Sequence, residues 1–333
     1  MKSIVFIVPY FALGNGKLPE MFKLWLASCA NNPTINWYVI TDCCTDDYDI
    51  PANVKIQRST FNDVKNRIQS LFEFDIALNS PYKLCDFKPT YGEVFQDLIE
   101  GYDFWGFCDI DIIWGNIRKF ITNEILENND RILTRGHCSI FRNNFENNMR
   151  YRTLDRKGCL DYREVFSSDE SYAFDEWAGH YGGGYSAIQK LNGISMYDGM
   201  IYADIQINRY QLHTTRERDS RFQDEKNNIR MVFVISNGMV MSKSIHKKSK
   251  QIIVNEYMYI HLQQRKLNVE RGIDKNNYII VPPNKAMKVE LLKTKDDIIK
   301  VTRNAWWTWN IKGQIKEWLH DCKVILKNRT GMY

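Results

Sequence analysis

Tyr102-Asp103-Phe104-Trp105-Gly106-Phe107-Cys108-Asp109-Ile110-Asp111-Ile112-Ile113-Trp114-Gly115 is the stretch on which the reading of this chain turns. Two carboxylates, Asp109 and Asp111, interrupt a run that is otherwise apolar and aromatic. Residues two apart on a strand point to the same side, so the spacing predicts both carboxylates facing one point while Ile110 packs on the other side. Carboxylates in apolar surroundings are costly unless paired, hydrogen-bonded or metal-bound. Hard cations such as Mg2+ or Mn2+ prefer oxygen ligands, commonly one or two carboxylates together with substrate phosphates. The pattern points to a metal-bridged nucleotide diphosphate. The plainer reading is a strand end with two solvated aspartates.

Working outward, the first half of the chain alternates short apolar strands with helical patterns. Ser3 to Pro9 reads as a strand and Leu18 to Cys29 as a helix, with Met21, Leu24, Trp25 and Cys29 on one face. Strands are predicted at Asn36 to Thr41 and Val54 to Gln57, and helices at Val64 to Phe72 and Tyr91 to Glu100. This rhythm argues for an α/β fold, a mostly parallel sheet covered by helices. Ligands of such sheets sit at the carboxyl ends of the strands. Asp42, Asp109 and Asp111 all fall at predicted strand ends, as one shared site requires.

Composition narrows the class. A chain of 333 residues, 44% hydrophobic and 26% charged, has the make-up of a globular protein with a substantial core. No apolar run is long enough to span a bilayer, and the five apolar residues Ile4 to Val8 do not make a signal-peptide core, so the reading is cytoplasmic. Eight cysteines without zinc-type pairing suit reduced thiols. From Lys285 to Tyr333 eleven Lys/Arg stand against five Asp/Glu, a local +6 in a chain of net +5. The rest is near neutral, so the division predicted is a catalytic domain over 1–284 and a basic, aromatic, helical extension over 285–333. Trp306, Trp307, Trp309 and Trp318 interleaved with Lys312, Lys316 and Lys323 suit either an interfacial helix on an anionic membrane or a terminal helix docked by its tryptophans.

The ordered set of pieces resembles a nucleotide-sugar glycosyltransferase of the GT-A fold, of the bacterial type that builds capsule and O-antigen polysaccharides and includes galactofuranosyltransferases. The pieces are Val8-Pro9-Tyr10-Phe11, Thr41-Asp42, Lys83-Leu84-Cys85-Asp86-Phe87-Lys88-Pro89-Thr90-Tyr91-Gly92, the Asp-x-Asp run, Phe174-Asp175-Glu176-Trp177, and Tyr259-Ile260-His261-Leu262-Gln263-Gln264-Arg265-Lys266. They span about residues 1 to 270. The resemblance implies a GT-A-like nucleotide-binding sheet and transfer with inversion. It implies a UDP-sugar donor, with galactofuranose or galactose favoured, and a glycan or lipid-linked glycan acceptor. It also implies Mn2+ or Mg2+ at Asp109, Asp111 and His261. Pro9, Tyr10, Phe11, Asp42 and Ile110 are then donor contacts.

The residues make physical sense beside it. Asp42 and Asp86 are acceptors for a uracil or ribose, Asp86 having a helix N-cap before Lys88-Pro89 as its structural alternative. Lys83 and Lys88, like Arg265 and Lys266, are candidates for the diphosphate, against the ordinary fate of a solvated cation. His261 follows an apolar strand pattern and is a candidate metal ligand, the alternative being a packed histidine bonded to backbone. His137 is placed on a strand lining the sugar sites. Asp175 and Glu176, flanked by Phe174 and Trp177, are candidates for a carboxylate with raised pKa that takes the acceptor's proton, Glu176 slightly favoured. The structural alternative is an acidic pair opening a helix. Trp177 offers a face to an acceptor sugar. Gly179, Gly182, Gly183 and Gly184 suggest a segment able to close over substrate.

Three rivals share some of these features: a HAD-like phosphatase, a nucleic-acid binder, and a non-catalytic lectin-like module. The phosphatase motif belongs near the N-terminus. No recognised nucleic-acid motif accompanies the modest basic excess. A dead module has no reason to keep Asp109, Asp111, Asp175, Glu176 and His261 together.

Overall fold

The computed structural model describes residues 1–12, 16–154, 158–178, 181–207, 209–263, 265–289 and 292–303, with Ile315 and Leu319. It divides into two compact units. Met1–Leu18, Asn32–Ile110 and Ile121–Gly199 form the first; Pro19–Asn31, Asp111–Phe120 and the described residues from Met200 onward form the second.

The first unit is built on a seven-stranded sheet. Its strands are β1 (Ile4–Pro9), β2 (Ile35–Thr41), β3 (Val54–Arg58), β4 (Phe104–Cys108), β6 (Arg131–Arg135), β7 (Cys138–Arg142) and β8 (Met196–Tyr197). They run in the order β3-β2-β1-β4-β7-β6-β8. β3, β2, β1 and β4 are mutually parallel, β7 opposes β4, β6 opposes β7, and β8 rejoins in parallel. Ile4 to Val8 are buried on both faces, which is why β1 reads as an unbroken apolar run rather than an alternation. Gly106 answers a packing demand at the centre: a Cβ there would lie 2.6 Å from the Ser139 carbonyl oxygen and 3.0 Å from the Phe6 ring.

One face of this sheet packs Val5, Ile7, Ile40 and Phe107 against the helices Phe61–Gln69, Tyr162–Phe166 and Tyr185–Leu191. The helix expected over Tyr91 to Glu100 is broken. Phe95 takes φ −112°, ψ 35°, and separate turns run over Tyr91–Val94 and Gln96–Ile99. The Phe95 ring is buried edge-on to Tyr91, so tertiary packing overrides the local periodicity. The chain lays down β2 and β3 on one side of β1, then returns to place β4 on the other. The reversal puts a topological switch point at the carboxyl ends of β1 and β4.

The second unit holds two sheets that the β/α reading did not anticipate. A six-stranded sheet runs in the order β12-β11-β10-β15-β16-β14. It uses β10 (Asn228–Ser236), β11 (Met239–His246), β12 (Ile252–Tyr257), β14 (Asn268–Val269), β15 (Asn277–Val281) and β16 (Lys285–Lys288). β10 and β11 form a hairpin around Asn237 and Gly238, both at positive φ, as a two-residue turn matched to strand twist requires. The helix Lys295–Thr302, with a Thr294/Asp297 capping box, buries Ile298 among Val232, Ile245 and Ile279. A smaller sheet orders β5 (Ile112–Trp114), β13 (Tyr259–His261) and β9 (Ala203–Asp204) as β5-β13-β9. The tryptophans expected to define the C-terminal extension lie outside the described residues. Among the described residues no helix is long and apolar enough to cross a membrane, and seven cysteines are unbridged.

Candidate active site

Asp109 leaves the carboxyl end of β4 at the switch point, and here the expected geometry needs correction. The strand ends at Cys108 and residues 109–111 form a turn, so Asp109 and Asp111 are not alternate positions of one strand. The Asp109 N–H donates to the His137 carbonyl (3.0 Å), Ile110 is buried, and the chain passes at Asp111 into β5 of another sheet.

In the first unit, Lys88 is the hub. Its ammonium donates to Asp109 Oδ1 (2.8 Å) and to the Gly136 carbonyl (2.6 Å), and stands 3.6 Å from Asp175 Oδ2. Burial opposes the charge on Lys88, but Asp109 and Asp175 outweigh it and hold the ammonium protonated far above its usual range. Asp175 lies almost wholly buried in the turn Phe174–Trp177, against Gly136, where a Cβ would sit 2.7 Å from its Oδ2. Burial, and the neighbouring Glu176 charge, raise Asp175 to about 8 despite Lys88, whose closer contact is with Asp109. Glu176 is half-buried and accepts from the Gly136 N–H at 3.4 Å.

This carboxyl has a consequence for stability. Between its unfolded pKa, ~3.9, and its folded value the native state binds the extra proton, so stability falls as pH rises across that window. In Asp175→Asn that component of the slope is expected to vanish. Urea unfolding of both proteins from pH 4 to pH 8 reads the difference, and parallel curves would contradict it.

The carboxylate turn is held from behind. Ala173 (φ 52°) and Ala178 (φ 56°) bracket it in the left-handed region, a strain the surroundings must over-determine. Asp86 accepts from the Tyr172 N–H (3.0 Å), the Phe174 N–H (2.8 Å) and Lys83 Nζ (2.8 Å). Lys83 spends its other two donors on the Val165 and Glu170 carbonyls. Arg131, fully buried between the Phe141 and Tyr185 rings, donates to the Asp175 carbonyl (3.1 Å), Gln189 Oε1 (2.7 Å) and Ser139 Oγ (3.0 Å). Trp177 Nε1 donates to Thr134 Oγ1 (3.0 Å).

Lys83 and Asp86 are therefore a buried pair that positions the turn. Nothing of Lys83 is left for a phosphate, and Asp86 caps no helix, lying within the helix Leu84–Phe87. Asp86→Ala leaves a buried ammonium and two amides without their acceptor. It is expected to cost about 3–5 kcal/mol, visible as a lowered urea midpoint; an unchanged midpoint would contradict the assignment.

In the second unit, β13 brings His261 opposite Ile112 of β5 and Asp204 of β9. The ring donates from Nδ1 to Asp204 Oδ1 (2.8 Å), and Nε2 lies 3.5 Å from Asp111 Oδ1. Burial opposes protonation, but Asp111 and Asp204 outweigh it and raise the imidazole to about 10. The donor set fits a divalent cation: Asp111 Oδ1 and His261 Nε2, 3.5 Å apart, would hold it, with the imidazole deprotonated at Nε2. Arg265 is engaged elsewhere, donating to the carbonyls of Gln206 (2.7 Å), Pro283 (2.7 Å) and Arg209. It ties Gln206 and Arg209 to Pro283. Lys266 is exposed.

Of the remaining expected donor contacts, Pro9 ends β1, Tyr10 is half-buried just beyond it, and Asp42 is exposed just beyond β2. Phe11 packs in the core against Phe61. His137 is buried in the β6–β7 turn. Sequence reading missed Asp204, Gln263 and Arg131. The only signal for Asp204 is the short alternation Tyr202-Ala203-Asp204-Ile205-Gln206.

Fold and site define an α/β protein with an acidic turn at the switch point of a mostly parallel sheet. The chain belongs to a family described as a family of unknown function (DUF6625), matched over residues 6–290. No curated protein matches it. Among solved structures it is similar to mouse xyloside xylosyltransferase 1 in its apo form, at 8% identity and TM-score 0.40, covering 80% of this chain and 99% of that one. It is also similar to the galactosyltransferase LgtC in complex with donor and acceptor sugar analogues, at 10% identity and TM-score 0.33, covering 61% of this chain and 75% of that one.

Proposed function

We propose that the protein is a metal-dependent, inverting glycosyltransferase that moves a hexose, galactofuranose or galactose, from a UDP-sugar to a surface-polysaccharide acceptor. The observation that carries the reading is an Asp-x-Asp turn at the switch point, with its first carboxylate paired to the half-buried Lys88. Asp111 and His261 are assigned to the cation, which when bound neutralises charge developing on the leaving diphosphate. Asp42, Pro9 and Tyr10 are assigned to the nucleoside at the carboxyl edge of β1 and β2. Lys88 is assigned to the diphosphate, and Trp177 and His137 to the acceptor sugar.

Glu176 is the group we assign to the acceptor's proton. It is more exposed than Asp175, whose carboxyl is held neutral to about pH 8 by burial. Asp175, in its neutral form, is a hydrogen-bond donor beside it. The lysine- and tryptophan-rich segment after residue 303 is assigned to peripheral contact with the cytoplasmic face of the membrane, where a lipid-linked acceptor would be met.

A screen of UDP-, GDP- and dTDP-sugars for nucleotide release, in Mn2+ and in EDTA, tests the reading. A Mn2+-dependent preference for one UDP-hexose supports it. Phosphate release from phosphomonoesters with no turnover of any nucleotide sugar would replace it with a phosphatase.

A further inference from the structure

The small sheet of the second unit lines up three polar groups on very short strands. Asp111 precedes β5, His261 ends β13, and Asp204 ends β9. Backbone bonds fix the alignment: the Leu262 N–H donates to the Asp111 carbonyl (3.0 Å) and the Ile205 N–H to the His261 carbonyl (3.0 Å). The imidazole thus lies between two carboxylates that it meets differently. Nδ1 makes a full hydrogen bond to Asp204 at 2.8 Å, whereas Nε2 stands at 3.5 Å from Asp111. Asp204 Oδ1 also accepts from Gln263 Nε2 at 2.6 Å, so one oxygen carries two donors and is fixed as an acceptor.

We propose that Asp204 is a positioning residue that keeps the His261 proton on Nδ1 and aims Nε2, beside Asp111, at a divalent cation. The inference rests on the cation assigned above to Asp111 and His261. A ligating histidine whose other ring nitrogen donates to a carboxylate has its tautomer and orientation fixed, and loss of that partner typically costs 10–100-fold in metal affinity. The Asp204 oxygen facing the ring already serves two donors, which assigns Asp204 to orienting the imidazole rather than to the cation. Gln263 completes the arrangement by holding that oxygen from the other side.

The test is a Mn2+ titration of the full chain by electron paramagnetic resonance, for wild type, Asp204→Ala and Asp204→Asn. Asp204→Ala is expected to weaken binding ~10–100-fold. Asp204→Asn, which retains an oxygen acceptor, should lose less. Nitrogen-15 spectra of histidine-labelled wild type loaded with Mg2+ should show the proton on Nδ1 and the metal on Nε2. That spectrum and Asp204→Asn decide the matter if Asp204→Ala fails to fold. Unchanged Mn2+ affinity in a folded Asp204→Ala, or a metal on Nδ1, overturns the role of Asp204 while leaving the cation itself standing. An equal loss in both variants also overturns it, by making Asp204 a ligand. Absence of Mn2+ binding by wild type overturns the cation assignment and this inference together.

Discussion

Asp111→Ala is expected to lower turnover of the preferred nucleotide sugar by on the order of 10²–10³-fold or more, the scale lost when charge stabilisation of a leaving group is removed. Asp111 Oδ1 faces Nε2 of His261, so the substitution takes away one of two neighbouring donors. It also takes away one of the two charges that hold the imidazole protonated. The stability cost should be small by comparison, because the Asp111 carbonyl, which accepts from Leu262, remains. Steady-state rates in saturating Mn2+, with thermal melting as the control for folding, check it. A folded variant with wild-type rates would remove Asp111 from the chemistry.

Glu176→Gln should lower turnover by ~10²-fold or more, within the usual contribution of a general base, while affinity for UDP stays at the wild-type level. Asp175 provides the contrast. A carboxyl raised to about 8 is already mostly protonated at neutral pH, so Asp175→Asn changes little of the charge present there. Its larger signature is the altered dependence of stability on pH. Comparing kcat for the two variants at pH 7 separates the roles. A severe loss in Asp175→Asn with a near-normal Glu176→Gln would move the base to Asp175.

The parts of this fold visible in the sequence are those whose burial writes a continuous pattern. β1 lies within a residue of its expected position because a central parallel strand is apolar on both faces, while β2 and the edge strand β3 show instead as short alternations of apolar and polar residues. The antiparallel sheet of the second unit went unread, although Asn237-Gly238 between Met231-Val232-Phe233-Val234-Ile235 and Met239-Val240-Met241 is a hairpin signal. The Asp-x-Asp residues were found, but the end of the strand before them was not. Period two holds only while the strand continues, and β4 stops at Cys108.

Charge misled in another way. Lysine, arginine and aspartate are surface residues by default, so Lys83, Asp86 and Arg265 read as ligand contacts. Their bonds to backbone carbonyls and amides are decided by segments 80 or more residues away for Lys83 and Asp86, and by Gln206 and Arg209 for Arg265. Asp204 sits on a strand of two residues, too short for any period to show.

A nucleoside diphosphate held through a divalent cation underlies every role proposed for these residues. Calorimetric titration of the wild-type protein with UDP, once in Mn2+ and once in EDTA, tests it most directly. Binding that is strong in Mn2+ and weakened at least tenfold in EDTA is expected. Equal affinity in the two conditions, or no binding in either, would contradict it.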